Sequence, residues 1–296
     1  MSFMFEKVLF ATDFSEYSFL TLECISEIPG VQEVVLLHVV DATHHSKKGW
    51  THDREITKAE LELEDQRRTL DKLGIRSIVR LDVITSGEIA EAVVRIARKE
   101  EVSLIVTGAR GKGLIQRVLL GSVSKGVLQM AGIHVLIMRY RVVDSYKGPN
   151  YERFCPGIFT KALYPTDFSD PASAVVPFLK NLGTLEKVVL LHVITRGETK
   201  QEIDASLGEA RRQMEFIADD LRKSGIETEV SVRLGSPTEE INSSAEEGNV
   251  SLIVMGRHGH GRIREIVTGS TAYMVAKQTR RPVLIVGQSQ SPPIEK

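Results

Sequence analysis

Short apolar runs rich in β-branched residues punctuate the chain: Val8–Ala11, Val34–Val39, Ser77–Ile84, Leu104–Thr107 and Val135–Met138. Runs of this length fit strands, and continuous ones such as Val-Val-Leu-Leu fit strands buried on both faces. Between them the pattern turns helical. Ser15 to about Ile28 is apolar-rich, and the charged segment Asp53–Leu73 sets Ile56, Leu63 and Leu70 on one face at heptad-like spacing. Glu88–Lys99 and Ser122 to about Met130 supply two more helices. Strands alternating with helices imply a parallel sheet covered on both faces. The succession then starts again: Lys7-Val-Leu-Phe-Ala-Thr-Asp-Phe-Ser15 recurs as Lys161-Ala-Leu-Tyr-Pro-Thr-Asp-Phe-Ser169, and Val34-Val-Leu-Leu-His-Val39 as Val188-Val-Leu-Leu-His-Val193. Five strands and four helices are expected in each copy.

The repeat is a whole domain. The offset is 154 positions at the aspartates and histidines and 148 further on, with three residues lost by Gly74/Gly225 and three more by Gly87/Gly235. Such length changes belong in loops and at element ends. The expected division is a first domain over 1–141, a linker over 142–157, a second domain over 158–288 and a disordered tail over 289–296. The linker carries Gly-Pro and Pro-Gly pairs, which punctuate the backbone, and sustains neither helical nor strand periodicity.

A length of 296 residues accommodates two such domains, each able to bury its own core. A net charge of −1 leaves no basic excess for nucleic acid, so none is expected as a partner. No apolar run reaches the length of a bilayer span, and the N-terminal residues do not read as a signal peptide, so a cytoplasmic protein with no membrane partner is expected. Cys24 and Cys155 form neither a disulfide framework nor a metal spacing, and are expected to be incidental thiols.

The chemistry concentrates after the fourth strand of each copy. Gly108-x-x-Gly111 is followed after nine residues by Gly121-Ser122, and Gly256-x-x-Gly259 is followed likewise by Gly269-Ser270. A strand entering a glycine-rich loop, with Gly-Ser opening a helix, is a way to hold phosphate on backbone N–H groups. Doubly wound sheets bind ligands beyond the carboxyl ends of their strands, so the Thr12-Asp13 and Thr166-Asp167 loops compete for the same crevice. No P-loop or dinucleotide fingerprint is present. Asp13 has a second reading as a helix cap. The ladder glycines have one as simple turn residues. His38 and His192 read as hydrogen-bonded core histidines. His44, His45 and His52, and His258 with His260, suggest metal but read better as solvated loop residues.

These motifs resemble the nucleotide-binding branch of the universal stress protein family, whose signature G-x2-G-x9-G-[ST] is matched in full twice. The resemblance covers nearly the whole chain. It implies two tandem doubly wound α/β domains of the adenine-nucleotide alpha-hydrolase-like type, each a five-stranded parallel sheet in the order 3-2-1-4-5. It further implies adenine-nucleotide binding, ATP or AMP, in a stress-response or regulatory protein. The implied site comprises Ala11, Thr12 and Asp13, Val39, Gly108, Arg110 and Gly111, and Gly121, Ser122, Val123 and Ser124. In the second copy it comprises Pro165, Thr166 and Asp167, Val193, Gly256, His258 and Gly259, and Gly269, Ser270 and Thr271. The aspartates are implied by the ribose or the metal–phosphate end, where Mg²⁺ is a candidate. The main chain at Val39 and Val193 is implied to read the adenine edge, the first ladder glycines to approach the ribose, and the rest of the ladder to hold phosphates. Ser124 faces Ala272 across the copies, which leads to the expectation of weaker or altered phosphate contacts in the second site. No catalytic group is expected. A slow Mg-dependent ATP hydrolase or nucleotidyl enzyme and a non-binding interaction scaffold stand as alternatives. The last strands are implied to pair, giving an internal pseudo-dimer, with a homodimer and an unknown protein partner as further candidates.

Overall fold

The computed structural model describes residues 4–43, 52–109, 120–145, 148–152, 155–195, 200–259 and 268–287. It divides into two compact units, Met1–Met138 with Gly287–Lys296, and Arg139–Val286.

The first unit runs β1 (Lys7–Ala11), α1 (Glu16–Glu23) with a 3₁₀ turn at Ile25–Glu27, β2 (Glu33–Asp41), α2 (Asp53–Lys72), β3 (Arg76–Ile84), α3 (Ile89–Lys99), β4 (Leu104–Gly108), α4 (Ser122–Met130) and β5 (His134–Met138). All its strand pairs are parallel, in the order β3-β2-β1-β4-β5. Val8, Leu9, Phe10, Val34, Val35, Leu36, Leu104 and Ile105 are fully buried, as strands covered on both faces require. Helix α2 buries Ala59, Leu63 and Leu70 on one face, with Gln66 buried among them. Ile56, expected on that face, is half-buried. Gly74 closes α2 at φ 74°, and Ile75 N–H reaches back to Leu70 O at 3.1 Å. That is the left-handed cap that glycine adopts without steric cost.

The 142–157 segment is not irregular throughout. Arg141–Ser145 (β6) and Gly148–Glu152 (β7) form an antiparallel ribbon with Val142 opposite Tyr151 and Asp144 opposite Pro149. Proline and glycine obscure a strand pattern but are tolerated on edge strands, and both strands of a two-stranded ribbon are edges. The 289–296 tail lies outside the described residues.

The second unit continues with β8 (Lys161–Pro165), α5 (Asp170–Ser173), α6 (Val175–Asn181), β9 (Lys187–Ile194), α7 (Lys200–Lys223), β10 (Glu227–Leu234), α8 (Pro237–Glu247), β11 (Leu252–Gly256), α9 (Ser270–Gln278) and β12 (Val283–Val286). Its order, β10-β9-β8-β11-β12, repeats the first. The first helix of this copy is split at Ala174 into α5 and α6. Pro177 explains the break, because its ring clashes with the carbonyl four residues back, at Ser173. Cys24 and Cys155 are disulfide-bonded, not free thiols. A lone pair of cysteines far apart in sequence has no spacing from which pairing can be read. Among the described residues no helix is long and apolar enough to cross a membrane.

Candidate functional site

Ala11 at the end of β1 lies opposite Thr107 on β4 and Leu37 on β2. The Thr12–Ser15 loop therefore opens beside the first ladder. Its turn is held by side chains. Phe14 N–H donates to Thr12 Oγ1 at 3.1 Å, and Asp13 Oδ1 accepts from Ser15 N–H at 3.0 Å and from the Ser15 and Ser18 hydroxyls at 2.6 Å each. The second copy repeats the arrangement. Phe168 N–H reaches Thr166 Oγ1 at 3.1 Å, and Asp167 Oδ1 accepts from Ser169 N–H at 3.1 Å and Ser169 Oγ at 2.6 Å. Helices α1 and α5 are capped by Ser15 and Ser169. The aspartates are thus not the caps; their carboxylates tie the turn that precedes each capped helix.

The histidines are engaged as expected, and at this same loop. His38 Nδ1 lies 2.8 Å from Thr12 O, and His192 Nδ1 lies 2.8 Å from Thr166 O. A carbonyl only accepts, so the proton sits on Nδ1. Each imidazole also packs on the loop phenylalanine, with centroids 4.3 Å apart for Phe14–His38 and 4.4 Å for Phe168–His192. Those phenylalanines stand at φ 58° and 63°. A bulky residue there costs about 1–3 kcal/mol, which persists only where the surroundings impose it. Val39 and Val193 each follow one of these histidines on β2 and β9.

The ladder helices begin differently from α1 and α5. Gly121 N–H donates to Ala109 O at 2.9 Å and Gly269 N–H to Arg257 O at 2.8 Å, after which α4 and α9 start with no side-chain cap and no acidic residue in the first turn. Among the described residues, the N–H groups of Ser122, Val123, Ser270 and Thr271 have no acceptor. Such orphan donors and the helix dipole favour an anion. Packing among the described residues does not demand glycine at either N-cap. Among the described residues, a Cβ on Gly121 would meet only Ala109 O at 3.6 Å, one on Gly269 would meet nothing nearer than 3.4 Å, and both have φ negative.

Gly256 and Gly259 are different. A Cβ on Gly256 would sit 2.6 Å from Pro171 O, so the start of α5 requires glycine there. A Cβ on Gly259 would collide with Asp167 Oδ2. The second ladder and the first-strand aspartate, distant in sequence, are therefore in contact. Arg110 and Gly111 of the first ladder, with Lys112 and His260, lie outside the described residues.

Ser124 faces inward. Its hydroxyl donates to Gly108 O at 2.7 Å and accepts from Thr107 Oγ1 at 2.8 Å. The buried Met255 and Ala272 take the places of Thr107 and Ser124 in the second unit. Between the copies, a buried hydroxyl pair is thus exchanged for an apolar pair. Sequence reasoning missed Thr107 because only the strand-to-helix packing reveals it. Arg257, which follows the first glycine of the second ladder, is 6% exposed and donates to Thr268 Oγ1 at 3.2 Å. Burial pulls its guanidinium down to about 10, so it stays charged at neutral pH. Burial, and then the Arg257 charge, hold His258 below the usual histidine range. Its Cα lies against the Gly269 N-cap. His44 and His45 lie outside the described residues, while His52 contacts Glu55 at 3.3 Å. Among the described residues no cluster of three or more His, Cys, Asp or Glu could hold a metal.

Residues 4–139 and 159–287 each match the sequence profile of the Universal stress protein family. The chain belongs to that family. Universal stress protein Slr1230 of Synechocystis is 29% identical over 86% of this chain and 79% of its own length. Universal stress protein MJ0577 of Methanocaldococcus jannaschii is 34% identical over 45% of this chain and 98% of its own length, as a relative about one copy long would be. Among solved structures, a universal stress protein from Archaeoglobus fulgidus superimposes with a TM-score of 0.69 at 27% identity, covering 95% of this chain and 96% of its own. Tandem universal stress protein domains thus account for the duplicated sheet.

Proposed function

We propose that this universal stress protein binds adenine nucleotide, ATP or AMP, in each of its two units and acts as a stress-response or regulatory protein. One observation carries the reading. Two helices open without caps behind glycines that packing among the described residues does not require, and in the second unit the ladder's Gly259 meets the oriented Asp167. Glycine in a position that tolerates a Cβ leaves space for something else to approach the backbone closely. The N–H groups at Ser122–Val123 and Ser270–Thr271 would take the phosphates, with Gly121 and Gly269 keeping the approach clear. Main-chain groups at Val39 and Val193 would meet the base. Ser124 serves the first site from beneath, by fixing Gly108 O and the first turn of α4. The donor chemistry fits Mg²⁺. One hard carboxylate in each unit, Asp13 or Asp167, would stand beside the phosphate end, and Mg²⁺ is commonly held by one or two carboxylates together with substrate phosphates. Such an ion would neutralise phosphate charge. Calorimetric titration of nucleotide-stripped protein tests the reading. Saturable heat with ATP, ADP or AMP is expected, and none with any of the three would sink it.

A further inference from the structure

We propose that His38 and His192 are positioning residues of the two nucleotide sites, each gripping the aspartate loop from both sides of the aspartate. The inference rests on the reading that these crevices hold nucleotide. Asp13 lies between Thr12 and Phe14, and one imidazole holds both neighbours: Nδ1 donates to Thr12 O at 2.8 Å, and the ring packs on Phe14 at 4.3 Å. His192 holds Thr166 O at 2.8 Å and Phe168 at 4.4 Å around Asp167. The two copies have drifted apart around this clamp. Ser18 corresponds to Ala172 and Phe10 to Tyr164, and the helix after the loop is continuous in one copy and broken in the other.

The clamp has something to hold against. Phe14 and Phe168 are kept in the left-handed region, at φ 58° and 63°, where a residue with a Cβ does not rest unaided. That reversal turns the chain so that Ser15 N–H and Ser169 N–H close onto Oδ1 of the preceding aspartate. In the second unit it also leaves Oδ2 against Gly259 of the ladder. Without the imidazole, the loop loses its hold on Thr12 O and on the phenylalanine ring, and the bonds within the turn restrain the strained φ and the carboxylate less well. The histidine itself need not touch ligand.

Calorimetry on the full chain tests this, with Gly269→Val to isolate the first site and Gly121→Val to isolate the second. His38→Ala should weaken ATP binding at the first site on the order of tenfold, as loss of an orienting partner does. It should leave the second site unchanged, which controls for general loss of fold. His38→Asn, whose amide nitrogen sits where Nδ1 does, should restore most of the loss. His192→Ala should show the reverse pattern. If His38→Ala does not fold, Phe14→Leu removes the ring contact alone and should weaken the first site selectively by a smaller factor. Unchanged first-site affinity in His38→Ala, or an equal loss at both sites, would overturn the proposal. Absence of binding in the unsubstituted chain would instead remove the nucleotide reading on which it rests.

Discussion

The helices that close the two ladders start alike and differ beneath. In the first unit Thr107 and Ser124 form a buried hydroxyl pair under Gly108, and the small Ala109 follows. In the second unit Met255 and Ala272 replace the pair, and a buried Arg257 takes the place of Ala109. The main-chain bonds that set the helix starts hardly change, at 2.9 Å from Gly121 to Ala109 and 2.8 Å from Gly269 to Arg257. What was kept is the orientation of N–H groups at an uncapped helix start. The support below was free to vary. This is the pattern expected if the proposed nucleotide sites work through main chain.

The largest test of that comparison is to fill the space the glycines leave. Gly121→Val should weaken first-site nucleotide binding by at least about a hundredfold, by placing a branched side chain where phosphate must approach. Gly269→Val should do the same to the second site alone. Far-ultraviolet circular dichroism should show both folds intact, since neither Cβ meets the chain closer than 3.4 Å.

The helices over the sheets give the next contrast. Gln66 on α2 is fully buried, and its amide nitrogen and oxygen have no partner among the described residues, whereas the second unit has Ile217 at the equivalent place. Gln66→Leu should raise stability by about 1–3 kcal/mol, the cost of an unsatisfied buried polar group. The midpoint of denaturant unfolding reads this, and a lowered midpoint would show that the amide is satisfied.

Ser124→Ala should cost about 1–2 kcal/mol, because Thr107 Oγ1 loses its nearest partner in a buried setting. Adding Thr107→Met rebuilds the apolar pair of the second unit and should recover part of that loss. A double-mutant cycle measures the coupling, and additive losses would mean that the two positions are independent.

The smallest contrast lies at the opposite end of the sheets. Lys7 reaches the Glu100 carboxylate at 3.1 Å, whereas Lys161 reaches the Gly248 carbonyl at 2.5 Å. Arg80, and then Lys7, hold Glu100 below the usual carboxylate range. A carboxylate with a depressed folded value contributes stability above its unfolded value and loses it as the pH falls through the folded one. Glu100→Gln should therefore flatten the loss of stability below about pH 4.5, by no more than about 1 kcal/mol after solvent screening. An unchanged acid limb in unfolding would show that the pair is inert.

Much of this was legible in the sequence, for identifiable reasons. Strands such as Val34–Val39 are buried on both faces and so read as continuous apolar runs, and the α4 start at Ser122 followed from the Gly-Ser pair. The split of α5 from α6 goes beyond the four helices expected per copy, because the apolar pattern runs on through Pro177 while its ring breaks the helix against the carbonyl of Ser173. The Thr107–Ser124 bond, the burial of Arg257 and the contact of Gly259 with Asp167 depend on how a strand end meets a distant loop or helix. No local pattern encodes that. The β6–β7 ribbon was hidden by its own proline and glycine.

Native mass spectrometry of the nucleotide-stripped chain titrated with ATP tests the central claim most directly. Two nucleotides per chain are expected, falling to one in Gly121→Val and one in Gly269→Val. An unshifted mass at saturating ATP, or loss of both nucleotides from a single glycine substitution, would contradict two independent main-chain sites.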